Sequence, residues 1–151
     1  RLPPRRIGSG LTVMAFTEEE IEYVRSQPLA RVATVAADGQ PDVVPVGFEF
    51  DGFHFYIGGF DPNRARRTKN IEAGNAKVAL VIDDLASVRP WSPRYLRVYG
   101  TVELQERPGR QGPARIMKIT PKISWSLNLS GTWSAGGSRP PTPHRTVHTS
   151  L

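Results

Sequence analysis

Four cations, Arg64, Arg66, Arg67 and Lys69, fall within six residues of the stretch FDPNRARRTKNIEAGN, and no acid stands between them. Guanidinium and ammonium groups at that density form a local anion receptor, because both donate charge-assisted hydrogen bonds to phosphate. The cluster directly follows the strand-like FHFYIGG, where ligand loops commonly sit. A solvated helix face and a contact to a nucleic-acid backbone fit the same residues, and the cluster alone does not separate the three.

Pro41 and Pro45 mark a second place of interest, in the otherwise apolar PDVVPVGF. A proline inside a strand forfeits a ladder hydrogen bond, so Pro45 signals either a sheet edge or an opening in the sheet. With Val43, Val44 and Val46 around it, such an opening suits a flat ring. Trp91, Trp125 and Trp133 are the large aromatics, each fit for sealing an interface or covering a ring, with core packing as the alternative.

Acid–base and nucleophilic chemistry find little support. Asp83 and Asp84 are adjacent, so in a strand they face opposite sides and cannot act as a glycosidase pair. No nucleophile with its base and orienter can be assembled, and the glycine-rich, zinc-helix and nucleophile-elbow motifs are absent. The chain has no cysteine, which removes disulfides, thiolate metal sites and a cysteine nucleophile. His144 and His148 are spaced i, i+4, but Pro140, Pro141 and Pro143 argue against the helix that would bring them to one metal. Redox chemistry carried by a cofactor demands the fewest protein groups.

The elements that must position these residues are mostly strands. Thr17 with Glu20 forms a capping-box pattern, and Phe16 with Ile21 a hydrophobic staple, which start a helix that Pro28 stops. ARVATVAAD, a turn at Asp38–Gly39 and DVVPVGFEF predict a hairpin; a second turn at Asp51–Gly52 and FHFYIGG predict a third strand of an antiparallel meander. A helix over Pro62–Ala73 with Asp61 as cap follows, then KVALVIDD, a loop DLASVRPWSPR, YLRVYGTVEL, ARIMKIT, and PKISWSLNL as short helix or terminal strand. Many strands with one crossover helix predict a small barrel.

The sequence predicts one domain over residues 14–135, an N-terminal extension or tag remnant over 1–13, and a flexible C-terminal tail over 136–151. The formal charge is +6, but five of the twenty Lys and Arg lie in those two end segments and none of the fourteen acids does. Basicity therefore says little about the domain's partner, and nucleic acid is not expected. No apolar run reaches the roughly 18–20 residues of a membrane span, so neither a membrane nor secretion is expected and the predicted location is cytoplasmic.

From Phe16 to about Leu127 the chain resembles the pyridoxamine 5'-phosphate oxidase-like family, and within it the PPOX-class F420-dependent oxidoreductases. The likeness is carried, in order, by LARVATVAADGQPDVVPVGFEFDG, FYIGG, RRTKNIEAGN with KVALVIDD, LRVYGTVE and ITPKISWSL. It implies a mainly β fold, a six-stranded Greek-key split β-barrel with short flanking helices, which forms a homodimer with cofactor sites at the subunit interface. It implies that Arg66 and Arg67 clamp the cofactor phosphate with Lys69 and Arg64 nearby, that Val43, Val44, Pro45 and Val46 lie along the ring, and that Trp125 approaches it. Relatives tend to have lysine where Arg67 stands, and Ser-Trp-Gly where Trp125 is followed by Ser126. The cofactor implied is F420, an 8-hydroxy-5-deazaflavin, with FMN as the alternative. The activity implied is hydride transfer to a small conjugated molecule, with FMN chemistry or a non-catalytic carrier as the alternatives.

Overall fold

The computed structural model describes residues 5–7, 11–13 and 15–149. β1 (Arg5–Ile7) and β2 (Leu11–Val13) pair antiparallel as a small sheet of their own. Then come α1 (Glu18–Arg25), β3 (Ala30–Val35), β4 (Pro41–Val46), β5 (Glu49–Phe50) and β6 (Phe55–Ile57). α2 (Arg66–Glu72), β7 (Lys77–Ser87), β8 (Ser92–Gly109), β9 (Gly112–Leu127) and β10 (His144–Val147) complete the order.

The main sheet runs β4-β3-β7-β8-β9-β6-β5, and β10 adds to β9 beside β6. β4 and β5 stand at opposite ends of that order, yet only Gly47 and Phe48 separate them in the chain. The two ends of the sheet are thus one bent segment, which pairs with β3 before the bend and with β6 after it. Counting β4–β5 once gives the split barrel of six strands, with β10 outside the count.

β8 and β9 form a continuous antiparallel ribbon from Tyr95↔Leu127 to Gly109↔Gly112. It carries a bulge between Tyr99 and Gly100, where Gly100 faces Pro121. A Cβ on Gly100 would stand 2.7 Å from the Thr120 carbonyl oxygen, so only glycine lets the two backbones approach this closely.

Inward-facing side chains of both halves fill the interior. Phe55, Ile57, Leu80, Ile82, Leu96, Val98, Met117 and Ile119 are all but fully buried, each worth about 1.5–3 kcal/mol relative to exposure. Phe16 meets Phe50 and Phe55 edge-on at 5.7 and 5.9 Å, so the residue before α1 is anchored in the core. The capping box forms as the sequence predicts: the Glu20 amide donates to Thr17 Oγ1 at 3.1 Å and the Thr17 amide to Glu20 Oε1 at 2.9 Å.

The meander forms, with its middle strand bent at Gly47–Phe48 into β4 against β3 and β5 against β6, and β6 also takes β9 (Phe55↔Ile119) on its other side, a pairing that turn signals do not predict. Three sequence readings are corrected. The second helix begins at Arg66 with Ala65 as cap, while Asp61–Arg64 make a turn. The loop DLASVRPWSPR is a tight hairpin, with β7 running to Ser87 and β8 starting at Ser92. The C-terminal segment read as a flexible tail contains β10, which pairs Arg145 with Trp125 and buries Thr146. His148, read with that tail, lies against Phe16 at 4.5 Å and places Nε2 2.8 Å from Ser124 Oγ.

A polar lock fastens α1 to the β7–β8 hairpin. Asp84 receives Arg94 Nε at 2.9 Å, the Tyr23 hydroxyl at 2.9 Å and Gln27 Nε2 at 3.2 Å, and Arg94 Nη1 donates to the Leu129 carbonyl. The hydrogen bonds from Arg94 hold the Asp84 carboxyl below its ordinary value, with help from Tyr23 and against the effect of burial. A carboxyl depressed in the folded state adds stability above its unfolded value of about 4, and loses it as pH falls through the folded value. Asp84→Asn should cost about 2 kcal/mol at neutral pH. The difference should shrink as pH falls below the unfolded value and through the lower folded one; denaturant unfolding of both proteins across the acid range checks it.

Candidate functional site

α2 is set against the barrel by buried polar side chains. Asn70, 4% exposed, donates to Thr34 Oγ1 on β3 at 2.9 Å, and the Thr68 hydroxyl donates to the Pro62 carbonyl. Asn75, just beyond the helix, donates to the carbonyls of Val35 and Ala36 at 2.9 and 3.0 Å. With this face of the helix fixed, the intervening Arg66 and Lys69 stand exposed to solvent.

Arg67 is half-buried and donates from Nη2 to the Gly58 carbonyl at 3.0 Å. Burial pulls its guanidinium below the ordinary arginine value, and the Asp42 carboxylate on β4 acts the other way. Arg67 stays charged at any pH in use, since arginine's ordinary value lies so high. It therefore lies between the glycines after β6 and the start of β4. A Cβ on Gly59 would meet Arg67 Nη2 at 2.4 Å, so the residue must be glycine for the guanidinium to hold its place.

Not all of the sequence-derived site residues meet. Arg66, Arg67 and Lys69 gather on α2, whereas Arg64 stands one turn earlier, 4.0 Å from Asp61. Along β4, Val43 and Pro45 point outward, while Val44 and Val46 turn inward and offer a ligand only their backbone. β4 has β3 on one side and no strand on the other among the described residues, so Pro45 marks an edge. Trp125 is on β9, four strand steps from β4 by way of β3, β7 and β8, and two from β5 by way of β6. It packs edge-on against Tyr99 at 4.9 Å, beneath the Arg97 guanidinium at 4.2 Å.

Three features escaped the sequence reading. Arg97 joins Tyr99 and Trp125 in a cation–aromatic group that only cross-strand register reveals. Across the outer face, Val43, Ala33, Ala79, Tyr99, Ile123 and Val147 occupy one register row over six strands. Val43, Tyr99 and Val147 in that row are 64%, 48% and 52% exposed. Gly58 and Gly59 matter through their contact with Arg67; the glycine pair was the one signal available.

As a fit test for an anionic cofactor, the cations give a clear result. Among the described residues no carboxylate pairs with Arg66 or Lys69, and both stand beside a half-buried guanidinium at a backbone-lined edge. Such an arrangement suits a phosphate group with an adjoining ring.

The antiparallel split barrel thus carries a cation-bearing helix beside an open strand edge. The chain belongs to the pyridoxamine 5'-phosphate oxidase family, whose match spans residues 16–126. It is 35% identical over 129 residues to a 5a,11a-dehydrotetracycline/5a,11a-dehydrooxytetracycline reductase of Streptomyces rimosus, covering 82% of this chain and 90% of that protein. In structure it is similar to a Lactobacillus delbrueckii protein assigned to the pyridoxamine 5'-phosphate oxidases, at 26% identity and a TM-score of 0.55 over 73% of this chain and 93% of the other. An F420 reductase shares the fold at 24% identity and a TM-score of 0.51, over 65% of this chain and 90% of the other. Among the described residues no helix is long and apolar enough to cross a membrane, and no group of His, Cys, Asp or Glu is placed to hold a metal.

Gly59→Ala tests the cradle. The substitution forces a side chain onto φ +87° and displaces Arg67, so it should cost about 1 kcal/mol in stability and weaken binding of inorganic phosphate severalfold. Thermal unfolding and phosphate titration read the two effects separately.

Proposed function

We propose that this protein is an oxidoreductase that uses reduced F420 to reduce a small conjugated organic molecule, with the cofactor held between two copies of the chain. The observation that carries the reading is the position of Arg67. Its guanidinium ties α2 to the glycines after β6 and lies near Asp42 at the start of β4, so the basic turn and the open edge are neighbours. Arg66, Arg67 and Lys69 would hold the phosphate, and the Val43–Val46 edge would lie along the ring. When bound, the reduced deazaflavin supplies the hydride. The chain's own contribution is to fix that ring at a backbone edge, keep water from one face of it, and set cationic charge beside it.

The 35% identity to a tetracycline-intermediate reductase favours reduction of an activated carbon–carbon double bond in a fused-ring substrate. Reduced FMN also delivers a hydride to such a bond, so the titration below is what separates the two cofactors.

A second copy of the chain suits the outer face. An apolar row across six strands, exposed at Val43, Tyr99 and Val147, is more than isolated surface residues explain. Trp125, four strands from β4 within one copy, would then reach the ring from the other copy.

Titration with F420 and with FMN, followed by fluorescence, should show F420 binding at least tenfold tighter. Arg66→Ala with Arg67→Ala should weaken it by two orders of magnitude or more, while turnover at saturating cofactor changes little. Unchanged F420 affinity in that variant would remove the phosphate assignment. Tyr99→Asp should convert a dimer to a monomer in light-scattering chromatography, and a dimer that persists would exclude this face as the interface.

A further inference from the structure

The β8–β9 ribbon ends in a two-residue turn, Arg110–Gln111, between Gly109 and Gly112. Its tip stands over the segment that carries Gly58 and Gly59, and the space between them is an open groove of about 1090 Å³. That is at the upper end of the size of small-molecule sites. Asn63 closes one end by gripping the ribbon twice, donating to the Pro113 carbonyl at 3.2 Å and accepting from the Arg115 amide at 2.9 Å. Arg115 in turn pairs with Glu72 of α2 at 2.8 Å, so groove, loop and clamp helix form one connected body.

The lining combines aromatic faces with cations. Phe48, Tyr56 and Phe60 contribute rings, and Arg64, Arg107 and Arg110 contribute charge. Phe60 is fully exposed to solvent, an unfavourable position for a phenyl ring that covers nothing. Arg107 is held over the Tyr56 ring at 4.7 Å, with a loose contact to Glu49 at 3.6 Å. Arg110 has no ion pair among the described residues. Both carboxylates at the groove, Glu49 and Asp61, are exposed and lightly paired, which leaves the lining positive by one charge.

We infer that this groove is a second binding site, beside the phosphate clamp and sharing with it the Gly58–Gly59 segment and Arg64, for a planar, fused-ring molecule with an anionic edge. Phe60 and Tyr56 would cover the rings, while Arg107 and Arg110 would receive an ionised enol, carboxylate or sulfonate. The groove begins at Gly47, the residue after Val46, so a ligand seated there would abut a ring lying along β4. The site is therefore that of the substrate, an assignment of role that rests on the function proposed above; the groove's own chemistry does not depend on it.

The test uses two fluorescent probes that differ by one charged group, 8-anilinonaphthalene-1-sulfonate and its uncharged counterpart N-phenyl-1-naphthylamine. Titrated into the cofactor-free chain, the sulfonate should bind more tightly than the neutral probe. Arg107→Gln with Arg110→Gln should weaken the sulfonate about tenfold and leave the neutral probe within twofold; both arginines are on the surface, so folding is preserved. Phe60→Ser should weaken both probes. F420 affinity, measured in parallel, should not change in either variant. Sulfonate binding that ignores the arginines would overturn the site, as would a loss of F420 affinity equal to the loss of sulfonate affinity, which would make the groove part of the cofactor's own seat. If the chain binds no F420 and the probe pattern still holds, the groove stands and the cofactor reading falls.

Discussion

β8 and β9, eighteen and sixteen residues long, run together along almost their whole length, and every other part of the main sheet reaches the barrel through them. β7 joins one side of the ribbon, while β6 and β10 share the other side, one behind the other along β9. A ribbon that must face both halves of a barrel cannot stay flat. The bulge at Tyr99–Gly100 supplies the bend, Gly100 lets the backbones close up, and Pro121 opposite gives up a donor where the ladder is already broken. A side chain at Gly100 would press on backbone, which cannot step aside. Arg97 and Tyr99 face outward because they alternate with the buried Leu96 and Val98 along β8.

The proposed site needs little conventional catalytic machinery. Its parts are a backbone edge and a cation-bearing helix fixed by an amide–hydroxyl and a hydroxyl–carbonyl contact. Cations placed this way select a ligand by charge and shape, and a cofactor that carries its own chemistry asks for nothing more. The polar lock at Asp84 serves a different end: it holds α1 and the β7–β8 hairpin together.

Local signals in the sequence were legible because they act between near neighbours. The Thr17–Glu20 capping box, the turn at Asp38–Gly39 and the apolar alternation of β3 and β7 each depend on a few adjacent residues, and each is present. Pairing was legible only where a tight turn dictates it. β6 against β9 joins residues as far apart as Phe55 and Ile119, and nothing in either strand specifies the other. β10 was hidden by composition, since three prolines before it suggest disorder, while its stability comes from the waiting edge of β9. The cationic cluster was visible as a cluster. That Arg67 turns inward to Gly58 while Arg66 and Lys69 face water depends on which side of α2 meets β3, which is settled by Asn70 and Thr34 across 36 residues of chain.

The placement of β10 also has a consequence for synthesis on the ribosome. The edge of β9 from Ile123 to Ser126 is complete and bare until His144–Val147 has been made and can reach back to it. During that interval a half-finished sheet presents unpaired backbone groups to every other nascent chain nearby. The intervening residues 128–143 are well suited to shorten the exposure. Asn128 ties them to Ser92, Pro93 and Trp133 by hydrogen bonds of 2.9–3.1 Å, which steers the emerging segment toward the strand it will cover. Among the described residues, the strand translated after β9 is the one that covers its bare edge.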